Sequence, residues 1–157
     1  MNATDKAARY AEVAKEIAAT IDGERNLIAR MATVSNIFHH AFDHYFWTGF
    51  YLVDPDRPDE LVIGPYQGSL GCLRIPFGAG VCGAAAARRE TVIVPDVHEF
   101  PGHIACDSRS ESEIVVPVFD RAGALIGVFD VDSDRKAMFD ETDGRALEAI
   151  LRESFAA

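Results

Sequence analysis

The sequence predicts an α+β fold, a central and mainly antiparallel sheet with helices packed on one side. Apolar residues recur at helical spacing near both ends of the chain. Between these ends lie short runs rich in β-branched and aromatic residues, bounded by turn-forming clusters. The order reads helix, helix, strand, strand, short helix, three strands, helix. It never settles into the strand–helix alternation of a parallel sheet.

Tyr10, Val13, Ala14, Ile17 and Ile21 share one helical face, and Asp22-Gly23 ends that helix. A second helix carries Leu27, Ile28, Met31, Val34, Ile37, Phe38 and Phe42 on its apolar side. Trp47–Val53 reads as a strand, and the turn cluster DPDRPDE leads to a second apolar run, LVIG, to make a hairpin. A glycine-rich stretch from Gly64 to Gly83 follows, then a short alanine-rich helix at Ala84–Arg88. The strand TVIVPD precedes the polar loop VHEFPGHIACDSRSES. EIVVPVF and ALIGVFDVD are two further strands, joined near Arg121–Gly123. Asp140 is the expected N-cap of the last helix, which buries Ala146, Leu147, Ile150 and Leu151.

The chain has 157 residues, 48% hydrophobic and 25% charged, which fits one globular domain spanning residues 1–157. With 15 basic against 25 acidic residues the net charge is −10, which repels a polyanionic backbone and argues against nucleic acid. No apolar run approaches the roughly 18–20 residues of a membrane span. MNATDKAARYAEVAKE lacks the apolar segment of a secretion signal, so a cytoplasmic location is expected. Three cysteines, an odd count, argue against a structural disulfide framework.

Gly78-Ala-Gly80-Val-Cys-Gly83 spells G-x-G-x-x-G, yet the helix after it is too short and Asp96 arrives too early for a dinucleotide site. The glycines instead let the backbone bend closely around a pocket. Cys72, Cys82 and Cys106 sit in loops or at a helix end, where they are either inert or redox-active. Cys82 lies at or just before the first turn of the short helix, where the helix dipole is expected to lower a thiol pKa. The spacing C-x9-C-x23-C lacks the close ligand pairs of a zinc site, and the histidines add no metal spacing, so no metal is expected.

Strand alternation puts Asp130 and Asp132 on one face with Ile126 and Val128. If buried, these carboxyls raise each other's pKa and one keeps a proton; if the strand ends at Asp130, both are solvated. Glu113 opens the neighbouring strand, where it can approach the same spot. Trp47 and Tyr51 share a strand face, as core or as a pocket wall.

Taken in order, WTGFYL, GPYQGSLGCLRIPFGAGVCG, DVHEFPGHIACDSRSESEIVVPV and GVFDVDS resemble the GAF-domain free methionine-(R)-sulfoxide reductases, from about Trp47 to Ser133. The resemblance implies the GAF fold, and reduction of free methionine-(R)-sulfoxide to methionine without metal or organic cofactor. It matches Cys106 to the nucleophile, Cys72 to its resolving partner and Cys82 to a third cysteine, whose position is also read as the nucleophile. It assigns Glu113, Asp130 and Asp132 to the sulfoxide oxygen and the substrate's amino end, and Trp47 and Tyr51 to the S-methyl group. A thioredoxin-like dithiol is the implied reductant, and a homodimer the suggested assembly. The alternatives from other classes are a regulatory small-molecule-binding GAF module and a thiol redox sensor without turnover. The first is disfavoured because no NKFDE-type motif is present.

Overall fold

The computed structural model describes residues 1–157. The N-terminal periodicity becomes α1 (Ala3–Thr20), capped by the Asn2 side chain, which accepts from the Asp5 N–H at 2.8 Å. Helix α2 (Leu27–Ala41) is capped in the same way by Asn26 and buries Met31, Val34 and Phe38. Leu27 and Ile28, expected on its apolar side, are exposed. Arg30 closes this end of the molecule instead, donating to the carbonyls of Glu24 and Ser154.

Strands β1 (Trp47–Asp54) and β2 (Arg57–Gln67) form the expected hairpin, but its turn is shorter than the DPDRPDE cluster suggests. Asp54 accepts from the Asp56 N–H at 2.9 Å and holds Arg74 at 2.6 Å, which tightens the corner so that β2 starts at Arg57. Strand β2 then runs into the stretch read as a glycine-rich loop. That stretch also contains β3 (Arg74–Pro76), a strand too short for its alternation to show. Helix α3 (Gly80–Arg88) starts before the alanine run, at Gly80. Strand β4 (Val92–Val94) and a 3-10 turn at Val97–Glu99 precede β5 (Ser112–Phe119) and β6 (Leu125–Ser133). Asp140 caps α4 (Glu141–Phe155) as expected, and Asp143 completes a capping box.

All strand pairs are antiparallel, in the order β3-β2-β1-β6-β5-β4. Helices α1, α2 and α4 cover one face of this sheet. Phe50, Ile114, Val116, Phe129 and Val131 meet Val13, Ile17, Phe38 and Leu147 there. The opposite face, with Trp47, Tyr51, Val115 and Val128, carries the short helix α3 through Val81, Cys82 and Ala85. Strand alternation thus separates a dry helical layer from a second face that holds α3 and long loops. No helix is long and apolar enough to cross a membrane.

One buried polar network ties the chain's two ends together. Lys6 on α1 donates to Asp143 at 2.6 Å, and the Tyr10 hydroxyl donates to the other Asp143 oxygen, also at 2.6 Å. Tyr10 shares a 2.7 Å hydrogen bond with Tyr45. Asp143 is fully buried, so removing its carboxylate takes the nearest counter-charge from the buried Lys6 ammonium and leaves it the Met138 carbonyl at 3.0 Å and the more exposed Asp140 at 3.6 Å. Asp143→Ala is expected to lower the unfolding free energy by about 3–5 kcal/mol in urea denaturation. A loss below about 1 kcal/mol would mean that water solvates the ammonium in place of Asp143.

Candidate active site

The register of three neighbouring strands assembles the acids. Asp132 on β6 lies opposite Trp47 on β1 and Glu113 on β5, while Asp130 lies opposite Gly49 and Val115. Strand β6 continues to Ser133, so these acids stand within the sheet, as the buried alternative required. Asp130 and Glu113 are each only 5% exposed. Polar atoms of Asp130, Glu113 and Cys82 lie within 4.8 Å of one another, and Asp130 Oδ1 has no hydrogen-bond partner in the protein.

Burial, first, and the charge of neighbouring acids, second, drive every one of these carboxyls toward its neutral form. Glu113 is raised to about 8. Asp130 and Asp132 are raised well above the usual carboxylate range. The same burial and the same acids push the Cys82 thiol up. This corrects the expectation that the helix dipole makes Cys82 acidic. Cys82 is buried in the first turn of α3, and desolvation with three adjacent carboxyls outweighs the dipole.

Trp47 and Tyr51 form the aromatic wall, their rings 5.7 Å apart and nearly parallel. Tyr66 extends the stack on the other side of Trp47, at 5.1 Å. The strand read as ending in LVIG runs on through Pro65, Tyr66 and Gln67 into the glycine-rich stretch, which brings in this ring. A side chain at Gly71 would collide with Trp47 and come within 3.0 Å of the Tyr51 hydroxyl, so a bare backbone is needed to lay the Cys72 loop on the wall. The Trp47 indole N–H holds this loop by donating to the Ser69 carbonyl at 2.8 Å.

The second roof element is the loop carrying Cys106. A disulfide joins Cys72 to Cys106, with the Cα atoms 5.3 Å apart. Ser69 donates to Asp107 at 2.7 Å, a second link between the same loops. Ile104 covers Gly80, where a Cβ would sit 3.1 Å from the isoleucine. Together the loops, the wall and the acids line one narrow cleft.

His103 also lines this cleft, its Nε2 3.5 Å from Glu113 Oε1. Burial lowers its pKa and favours the neutral ring. Sequence reasoning noted this histidine only as lacking a metal spacing, although it stands three residues before Cys106 in the GHIACD segment. Helix α3 also points its N-terminus at the cleft. Gly80, Val81 and Cys82 line the space, and Ala79 supplies no side-chain cap. As for metals, Cys82, Glu113 and Asp130 bring ligand atoms within 4.8 Å of one another. Their raised pKa values mean that a cation there must displace protons.

The fold and this cleft together define a GAF domain, and the sequence matches that family over residues 32–153. The chain belongs to the GAF domain family, and its similarities place it with the free methionine-R-sulfoxide reductases of that family. It is 48% identical to GAF domain-containing protein A of Dictyostelium discoideum, over 94% of this chain and 90% of that protein. It is 40% identical to the free methionine-R-sulfoxide reductase of Escherichia coli, over 90% of this chain and 84% of that one. The crystal structure of the free methionine-R-sulfoxide reductase of Neisseria meningitidis, determined with its substrate, is 50% identical and superposes with a TM-score of 0.90, covering 99% of this chain and 93% of that chain.

The raised carboxyls make stability depend on pH. Glu113 binds its proton more tightly folded than unfolded. Its contribution is therefore fully present below the ordinary value of 4.5 and is lost as pH rises toward about 8. His103, with its lowered pKa, acts in the opposite direction below its ordinary value of 6.5 and is common to wild type and variant. Urea unfolding between pH 5 and 8.5 should show a steeper decline with pH for wild type than for Glu113→Gln. Parallel curves would mean that Glu113 titrates normally.

Proposed function

We propose that this chain reduces free L-methionine-(R)-sulfoxide to L-methionine, with Cys106 as nucleophile and Cys72 as resolving thiol. The observation that carries the reading is a disulfide between loop cysteines, one of which, Cys106, lines the same cleft as the acids Glu113, Asp130 and Asp132. The Cys106 thiolate attacks the sulfoxide sulfur, and a proton from the acid cluster goes to the oxygen. Methionine leaves and the oxygen stays on Cys106 as a sulfenic acid. The Cys72 thiol then attacks that sulfur, forming the disulfide and releasing the oxygen as water. A dithiol, thioredoxin or one like it, reduces the disulfide by exchange. A Cys72–Cys106 disulfide is what the oxidised stage of this proposed cycle requires, and its presence supports the reading.

The substrate fits the cleft by chemistry. The unpartnered Asp130 oxygen suits an ammonium donor, and the uncapped start of α3 suits a carboxylate. Trp47 and Tyr51 offer apolar faces to the S-methyl group. An enclosed site that uses both ends of the amino acid favours a free zwitterion over a peptide residue. Cys82 fits less well as nucleophile, because its surroundings keep it a thiol.

Activity on free methionine-(R)-sulfoxide with a dithiol, against little on the S epimer or an oxidised peptide, is the direct test. It separates the enzyme from a redox sensor, which forms the disulfide without turnover. Cys106→Ser should release no methionine in a single turnover, whereas Cys72→Ser should release about one equivalent and stall. A normal burst from Cys106→Ser would move the nucleophile to Cys82. Glu113→Gln and Asp132→Asn should each lower turnover about tenfold or more, and the wild-type rate should fall above about pH 8 as Glu113 ionises. Full activity of both variants across pH 6–9 would remove the acid role.

A further inference from the structure

Three of the large apolar side chains left exposed on this chain stand within two residues of the disulfide's cysteines: Leu70 at 81%, Leu73 at 74% and Ile104 at 38% exposure. The others, Met1, Leu27 and Ile28, lie at the start of the chain and on the first turn of α2. Leu73 is held in its exposed position. Its carbonyl accepts from the Ile63 N–H on β2 at 2.9 Å, which fixes the backbone while the side chain stays in solvent.

The charges bordering this surface are already matched. Asp107 pairs with Arg109 at 2.7 Å and also accepts from Ser69. Arg74 pairs with Asp54 at 2.6 Å and Glu60 at 3.2 Å. On a chain of net charge −10, the disulfide is therefore ringed by apolar groups and compensated charges that a protein surface can cover without stripping a free ion of water. Cys106 is exposed within the ring and Cys72 is half-buried.

We infer that Leu70, Leu73 and Ile104 form the docking surface for the protein dithiol that reduces the disulfide, a partner whose attacking thiolate emerges from an apolar face of its own. The inference rests on the thiol cycle proposed above. Apolar contact holds the partner thiolate against the exposed Cys106 sulfur. Attack there forms a mixed disulfide and breaks the Cys72–Cys106 bond, and Cys72 leaves as a thiolate that takes up a proton. The partner's second thiol gives up its proton and attacks the partner's own sulfur in the mixed disulfide, which releases Cys106. Two electrons pass to this chain, and the partner departs as a disulfide.

Leu73 gives the clean test, because Leu70 and Ile104 also line the substrate cleft and Leu73 does not. Oxidised wild type and Leu73→Ser are each reduced by thioredoxin and, in parallel, by dithiothreitol, and the loss of the disulfide is followed by thiol alkylation and mass. The thioredoxin rate constant of Leu73→Ser should fall about fivefold or more, with the dithiothreitol rate unchanged. An equal fall with both reductants would place the effect in the disulfide itself and overturn the proposal. Unchanged rates with both would do the same. If thioredoxin fails on the wild type while dithiothreitol succeeds, no such docking occurs. Turnover measured with dithiothreitol separates that result from a failure of the proposed activity.

Discussion

The pairing of β6 with β1 on one side and β5 on the other fixes where Asp130, Asp132 and Glu113 stand. Because side chains alternate, the residues that send Phe129, Val131 and Ile114 into the helical core send these carboxyls to the opposite face. A slip of one residue would bury the acids under α1, α2 and α4 and turn the phenylalanine outward. The dry core therefore enforces the polar site. The acids cannot move away from one another without unpacking the other face.

The roof over the acids consists of two loops held by unlike devices. The Cys72 loop is laid on the aromatic wall by the missing side chain at Gly71 and by the indole hydrogen bond to Ser69. The Cys106 loop rests on α3 through Ile104 and on the first loop through Ser69–Asp107. The disulfide joins them covalently at one further point. Burial of the acids is thus a property of both layers, and burial is the leading cause of each raised pKa.

Much of this was legible in the sequence, and the parts that were not share a physical cause. The long amphipathic helices and the alternating strands carry periodic signals, so α1, α4, β1, β5 and β6 could be read directly. Strand alternation alone put Asp130 and Asp132 together, but only the register across three strands shows that Glu113 joins them and that the strand does not end at Asp130. Strand β3 and the Pro65-Tyr66-Gln67 end of β2 were hidden because glycine and proline there mimic loop composition. The exposure of Leu27 and Ile28 is set by Arg30 reaching carbonyls distant in sequence, which no local pattern displays. The expected acidity of Cys82 failed for a related reason. A helix start is visible in one dimension, and the carboxyls that override it arrive from strands about 30 to 50 residues further along the chain.

The separation of the cysteines follows from the same electrostatics. The proposed reaction needs a thiolate and a protonated carboxyl within reach of one sulfoxide group. Inside a cluster of mutually repelling acids a thiolate is one more negative charge, and burial and the same acids push the Cys82 thiol up. A thiol can hold its negative charge more cheaply where water reaches it, and Cys106 stands on such a loop. In the proposed reaction the sheet supplies the acid and the loop supplies the nucleophile, so neither has to compromise its protonation state for the other. In that reading Cys72 completes the arrangement, because its loop lies on the aromatic wall that lines the cleft. The proposed resolving thiol is thereby held close to Cys106 by the residues that also shape the cleft, so that in the proposed cycle an oxidised Cys106 meets a second thiol without leaving the site.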